Sequence, residues 1–302
     1  MAGRSSRRQR REPVRHPIPP GRLTAPPRRE TPDPDDPRLP RFESSGMAAA
    51  LIKCPVEVVP LFAALAVVHQ EMSGARPNSC LPVCYQIAAG LGHLGFDIEL
   101  MAAYAEVTRG GIRHANLGVR GPAVVRPDWT TNGHSVLWAA PFNRLVDPTV
   151  VQHPELLRLA HQDQQKGSAP LVIHLDGGRK QLLQGGVGVV RDPFFITYLA
   201  QPQHTAAFDP WFGEFREALD YGALGLAHTT LELITAAREL RDLRALTPRY
   251  PSLGALLTGG KELPPLPAEP PPSWVRLVGE AADRAPTDQR DSVVRGEEAE
   301  AG

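Results

Sequence analysis

The stretch Gly133-His134-Ser135-Val136-Leu137-Trp138-Ala139-Ala140-Pro141-Phe142-Asn143-Arg144-Leu145-Val146-Asp147-Pro148-Thr149 holds two apolar runs around a short turn signal. Gly133–Ala140 and Arg144–Val151 are predicted strands, and Pro141-Phe142-Asn143 suits the turn of a hairpin. The paired strands bring His134 and Asp147 side by side, although they lie thirteen positions apart. Upstream, Pro60 opens a predicted helix with Leu61, Leu65, Val68 and Met72 at helical spacing, ended by Gly74. After a loop over Ala75–Asn78, Ser79 is the predicted N-cap of a second helix from Cys80 to His93. Pro82 fits its first turn, Leu81, Ile87, Leu91 and Leu94 are its core residues, and Gly92 and Gly95 mark its end.

Asp97–Thr108 is a further predicted strand, with Ile98, Leu100, Ala102 and Tyr104 on one face. Arg109–Asp128 is Gly- and Pro-rich and is read as loop, and Glu155–Gln165 as helix. Leu171–Leu175, Gly186–Val190 and Phe194–Ala200 continue the β pattern. Two amphipathic helices, Pro210–Tyr221 and Thr229–Leu246, close the domain. Helices first, then a mostly antiparallel sheet, then helices define an α+β fold.

The 302 residues contain 33 basic and 33 acidic side chains, for a net charge of zero. That zero is a cancellation. Residues 1–46 hold eleven Arg against six acids and carry ten prolines; residues 261–302 hold five basic residues against nine acids, with seven prolines. Such segments bury too little apolar surface to offset the entropy of ordering. Both are expected to be disordered tails, leaving 47–260 as the folded domain. Met47, at the boundary, offers a second start, with 1–46 then untranslated.

The N-terminal stretch lacks the apolar region of a secretory signal, and the apolar run Val56–Val68 is too short to span a membrane. A cytoplasmic location is the default, and three cysteines exclude a disulfide scaffold. The near-neutral body favours a neutral peptide, amide or acyl substrate over a nucleic acid or other polyanion. The Pro-rich C-terminal tail, interrupted by Trp274, Val275, Leu277 and Val278, is a candidate docking segment for a protein partner.

Cys80, His134 and Asp147 carry the chemistry. A thiol in the first turn of a helix meets free N–H groups and the positive end of the dipole, which favour the reactive thiolate. The same N–H groups can hold an oxyanion, and Asn78 is a further oxyanion candidate. His134 can take the thiol proton, and Asp147 can fix its tautomer. Cys84, one turn later, lacks free first-turn amides and is read as structural, as is Cys54. Cys80, Cys84 and His93 form no zinc motif, and no cofactor motif occurs. Gly185-Gly186-Val187-Gly188 lacks the Lys-Ser/Thr and helix of a phosphate loop, and is read as a strand with close backbone packing.

Asn78-Ser79-Cys80 leading a helix that ends in Gly95-Phe96-Asp97 resembles the transglutaminase-like cysteine enzymes, within the wider papain-like grouping. So do Asn132-Gly133-His134-Ser135-Val136-Leu137-Trp138 and Leu145-Val146-Asp147-Pro148-Thr149. The order Cys, His, Asp is the order of that family. The resemblance covers roughly 78–150 and implies a Cys-His-Asp triad performing thiol-dependent acyl transfer or amide hydrolysis. Arylamine N-acetyltransferases share the core order, which implies an acyl-coenzyme A-dependent alternative, but Arg76-Pro77-Asn78-Ser79 replaces their Gly-Gly-aromatic lead. A non-enzymatic binding or scaffold module on the same fold is a third expectation.

Overall fold

The computed structural model describes residues 51–71, 79–150, 171–191, 194–274 and 276–277. The helices are α1 (Val59–Glu71), α2 (Cys80–His93), α3 (Gly178–Leu183), α4 (Asp209–Ala237), α5 (Leu240–Leu246) and α6 (Pro251–Leu257). The strands are β1 (Ile98–Arg109), β2 (Ile112–Leu117), β3 (His134–Ala139), β4 (Arg144–Asp147), β5 (Leu171–His174), β6 (Val187–Arg191) and β7 (Phe194–Ala200). The protein is a mixed helix and antiparallel-sheet fold, of class α+β. The segment 1–46 and the expected helix Glu155–Gln165 lie outside the described residues.

β1 organises the sheet. Its residues are apolar on both faces, so it is buried along most of its length rather than on one side. One edge pairs with β7; the other pairs with β3 along Ile98–Ala103 and then with β2 along Ala105–Arg109. The sheet order is β5-β4-β3-β1-β7-β6, with β2 beside β1, and every ladder is antiparallel.

β2 corrects the expectation of loop over Arg109–Asp128. Gly110 and Gly111 both take positive φ, 56° and 80°, between Arg109 and Ile112. Two such residues make the two-residue turn whose twist matches a hairpin. β3 and β4 pair as expected, around a 3-10 turn at Ala140–Phe142 and a left-handed Asn143. β4 is shorter than expected because Pro148 has no N–H for a ladder bond.

The two closing helices are also corrected. α4 runs unbroken from Asp209 to Ala237 and buries Trp211, Phe212, Phe215, Leu219, Leu226 and Ile234 at helical spacing. The break comes at Arg238, which is extended and donates from its guanidinium to the Leu51, Ile52 and Cys54 carbonyls. α2 packs on α4, and Gly90 makes that approach close. A Cβ at Gly90 would lie 2.9 Å from the Ala223 carbonyl oxygen and 3.2 Å from Leu226 Cδ2. A mid-helix Gly→Ala change normally stabilises by about 1 kcal/mol. Here Gly90→Ala is expected to destabilise by about 1–2 kcal/mol in urea unfolding, because backbone must move to admit the methyl.

α1, α2, α4, α5 and α6 cover one face of the sheet through a large apolar cluster containing Leu65, Ile87, Leu91, Leu137 and Leu253. The other face is filled by Met101, Val136, Trp138, Leu145, Leu182, Ile196 and Tyr198. A third cluster joins Cys80 and Leu81 to Ala102, Phe208, Trp211, Phe212 and Phe215. No helix among the described residues is long and apolar enough to cross a membrane.

The expected C-terminal tail is corrected over its first part. Residues 261–274, with 276 and 277, lie against α4, with Trp274 on Tyr221 (5.4 Å between ring centroids) and Leu277 on the third cluster. Proline content does not register a groove in which a chain can lie, here without regular structure over 262–267 and helical over 272–274 and 276–277. Residues 278–302 lie outside the described part.

Candidate active site

α2 begins at Cys80 with Ser79 at the N-cap position as expected, although the Ser79 side chain makes no cap bond. The Val83 amide bonds the Ser79 carbonyl at 3.1 Å, and Pro82 has no N–H. The Cys80 and Leu81 amides therefore remain as first-turn donors without intrahelical acceptors. Asn78 lies outside the described residues.

His134 is the first residue of β3, paired with Ala103. The chain leaves β2 at Leu117, which pairs with Ala105, so His134 sits where one partner of β1 hands over to the next. Gly118 makes this junction possible. Its φ is +76°, and a Cβ there would stand 2.5 Å from the Ala103 carbonyl oxygen and 2.8 Å from His134 Cβ. The connection 118–133 then passes over the site, and Trp129 takes a left-handed φ of 61°. Its carbonyl accepts from Trp211 Nε1 at 3.0 Å, and Asp128 Oδ1 caps the turn by accepting from the Thr130 amide and hydroxyl.

Asp147 ends β4 and is fully buried. Its Oδ2 accepts from His134 Nε2 at 2.8 Å. Its Oδ1 accepts from the Thr149 and Val150 amides at 3.1 and 3.0 Å and from Thr149 Oγ1 at 3.3 Å. The amides freed by Pro148 are thus held by the carboxylate itself. Nε2 is committed to Asp147, so Nδ1 is the His134 nitrogen left to act on the Cys80 thiol, whose sulfur donates to the Gly133 carbonyl at 3.9 Å.

Past the end of β4, the outer edge of β3 is open toward α2. Cys80 Sγ is directed at the Gly133 carbonyl, and the Ser135 carbonyl accepts from Cys84 Sγ at 3.4 Å. The two thiols therefore differ. Burial pushes both upward. At Cys80 the hydrogen bond and positive charge of His134 outweigh burial and pull the thiol below its ordinary 9.0. At Cys84 burial wins, and the thiol stands well above it. His134 loses by burial but gains more from Asp147 and Cys80, and is pushed up to about 10. For Asp147, burial raises the carboxyl, while His134, the Thr149 amide and Tyr198 bring it below its ordinary range. Cys54 is raised by burial to about 11, against the partly compensating charge of Arg238.

The three residues singled out in the sequence are thus brought together as thiol, imidazole and carboxylate. Tyr198 completes the group and was not assigned to it by sequence reasoning. Its hydroxyl donates to Asp147 Oδ2 at 2.9 Å. β7 stands three ladder steps from β4, about 14 Å in a flat sheet at ordinary strand spacing. The contact therefore requires the sheet to curl around this face. The only signal in the sequence is that Tyr198 alternates with Phe194 and Ile196, so a phenol at an inward position needs a buried acceptor. Tyr198→Phe is expected to cost about 1.5–3 kcal/mol in urea unfolding, the range for a hydrogen bond to a charged group. An unchanged midpoint would show that Asp147 does not use this donor.

Cys80 is 7 % exposed, against 0 % for Cys84. Among the described residues no cluster of His, Cys, Asp and Glu could hold a metal ion. The glycine-rich 185–188 stretch enters β6, where a Cβ at Gly188 would meet the Phe195 ring at 2.5 Å. Comparison with protein-family models, with curated proteins and with solved structures finds no match to this chain.

Proposed function

We propose that this chain is a thiol-dependent acyltransferase or amide hydrolase with a transglutaminase-like core, and that Cys80, His134 and Asp147 form its catalytic triad. The observation that carries the reading is the buried His134–Asp147 pair, 2.8 Å apart, acting on a thiol that is held below its ordinary pKa although it is buried. Burial alone drives a thiol the other way, as at Cys84.

In this reading the Cys80 thiolate attacks the carbonyl carbon of an amide or ester. The S–C bond forms, and the carbonyl electron pair moves to oxygen, facing the Cys80 and Leu81 amides. The carbon–nitrogen or carbon–oxygen bond then breaks as His134 gives its proton to the leaving group. Water or an amine attacks the thioester, His134 takes its proton, and the thiolate leaves. Asp147 holds Nε2–H throughout and balances the imidazolium charge.

An activated ester such as p-nitrophenyl acetate tests the reading. It should leave one acetyl group on Cys80, found by peptide mass, which water or an added primary amine then clears. Cys80→Ser should abolish the adduct. Acetylation no faster than that of a free thiol at the same pH overturns the proposal.

A further inference from the structure

The segment after α6 runs antiparallel to α4. His228 Nε2 donates to the Pro264 carbonyl at 2.8 Å. Leu266 lies over Gly225, where a Cβ would stand 3.9 Å from its Cδ1. Trp274 lies on Tyr221 and Gly222, and a Cβ at Gly222 would meet its ring at 2.8 Å. Arg276 pairs with Glu214 at 2.6 Å and stands over the Phe215 ring at 5.6 Å. The partners on α4 thus descend from 228 to 214 as the segment ascends from 264 to 276. Gly222, unfavourable in mid-helix, leaves the room that the Trp274 ring shares with the Gln86 side chain of α2.

The segment ends at the candidate site. Leu277 packs on the cluster that contains Cys80, Phe212 and Phe215. Its anchorage is light. Leu266 is 41 % exposed, and the Arg276–Glu214 pair is too exposed to contribute much. The proline-rich part before residue 272 is stiff before it docks and loses little entropy on binding, while Trp274 and Arg276 sit on the short helical stretch that follows, so the segment can exchange on and off.

We propose that residues 263–274, with 276 and 277, form a displaceable strap whose docking on α4 restricts entry to Cys80; the proposal rests on reading Cys80 as the nucleophile. Docked, the strap closes the outer side of the aromatic cluster whose inner side holds the thiol. Undocked, it uncovers Phe215 and loosens the wall beside Cys80. A partner that captures the proline-rich segment would then open the site.

The test uses the full chain. Trp274→Ala removes the ring anchor, and Arg276→Glu replaces the ion pair with a repulsion while leaving the buried contacts intact. In each, the rate of Cys80 labelling by N-ethylmaleimide is expected to rise about fivefold or more, as opening becomes frequent. The melting temperature should stay within about 3 °C. A synthetic peptide spanning 261–277, added in excess to either variant, should slow labelling again. An unchanged rate in both variants overturns the proposal, and so does a faster rate that the peptide does not slow. The two readings fail separately. If His134→Ala leaves labelling of Cys80 unaltered, the functional reading falls, while the ratio between strap variants and intact chain still reports on the strap.

Discussion

At pH 6, iodoacetamide is expected to label Cys80 in the intact protein about a hundred times faster than in the His134→Ala variant. The substitution removes the hydrogen bond and the charge that hold the thiol down. Burial and the negative charge of Asp147 remain, and both raise it. Each unit of upward movement lowers the thiolate fraction about tenfold at a pH below the pKa. In the intact protein the labelling rate should rise with a midpoint below 9.0 and change again near 10, where His134 loses its proton. Peptide mass after timed quenching separates the three cysteines, and Cys54 and Cys84, both raised, act as internal references. Equal rates in the two proteins would refute a working Cys80–His134 pair.

Asp147→Ala is expected to destabilise the fold by about 3–5 kcal/mol, the range for breaking a buried ion pair from one side. Five hydrogen bonds end on this carboxylate, from His134, Thr149 twice, Val150 and Tyr198. Alanine leaves two amides, a phenol and an imidazole unsatisfied. The pH dependence follows from the directions of the shifts. Asp147 is depressed from 3.8, so its contribution is present above 3.8 and is lost as pH falls through the lower folded value. His134 is raised from 6.5 to about 10, so its contribution is complete below 6.5 and is lost as pH climbs toward 10. Cys80, held below 9.0, contributes in the opposite sense on the alkaline side, which makes the acid limb the cleaner readout. Urea midpoints measured from pH 2 to 7 should fall steeply in acid for the intact protein and less steeply for Asp147→Ala. Parallel curves would mean that Asp147 is not ionised in the folded state.

What was legible in the sequence was local. α2 is bounded where Ser79, Pro82 and Gly95 mark it, because caps and turns act within a few residues. The β3–β4 hairpin follows from alternation and its turn, so the neighbourhood of His134 and Asp147 was readable too. Distant contacts were not. Tyr198 reaches Asp147 only because the sheet curls, and no spacing encodes that curl. α4 stays helical through Gly222 because Gln86 and Trp274 fill the space it leaves, a tertiary effect that outweighs propensity. β2 is different: its Gly110-Gly111 turn was visible and was outweighed by the glycine and proline content around it.

The handover on β1 has a consequence for how such a chain can diversify. Leu117 and His134 are pinned to Ala105 and Ala103, two positions apart on one edge of the same strand. The excursion 118–133 therefore leaves and returns at nearly the same place. Closing a longer excursion there adds only about 0.6 kcal/mol per doubling of its length. The imidazole is held by the ladder and by Asp147 rather than by the length of that excursion. New sequence can thus be spliced over the thiol, changing what reaches it, while the His134–Asp147 pair beneath keeps its geometry.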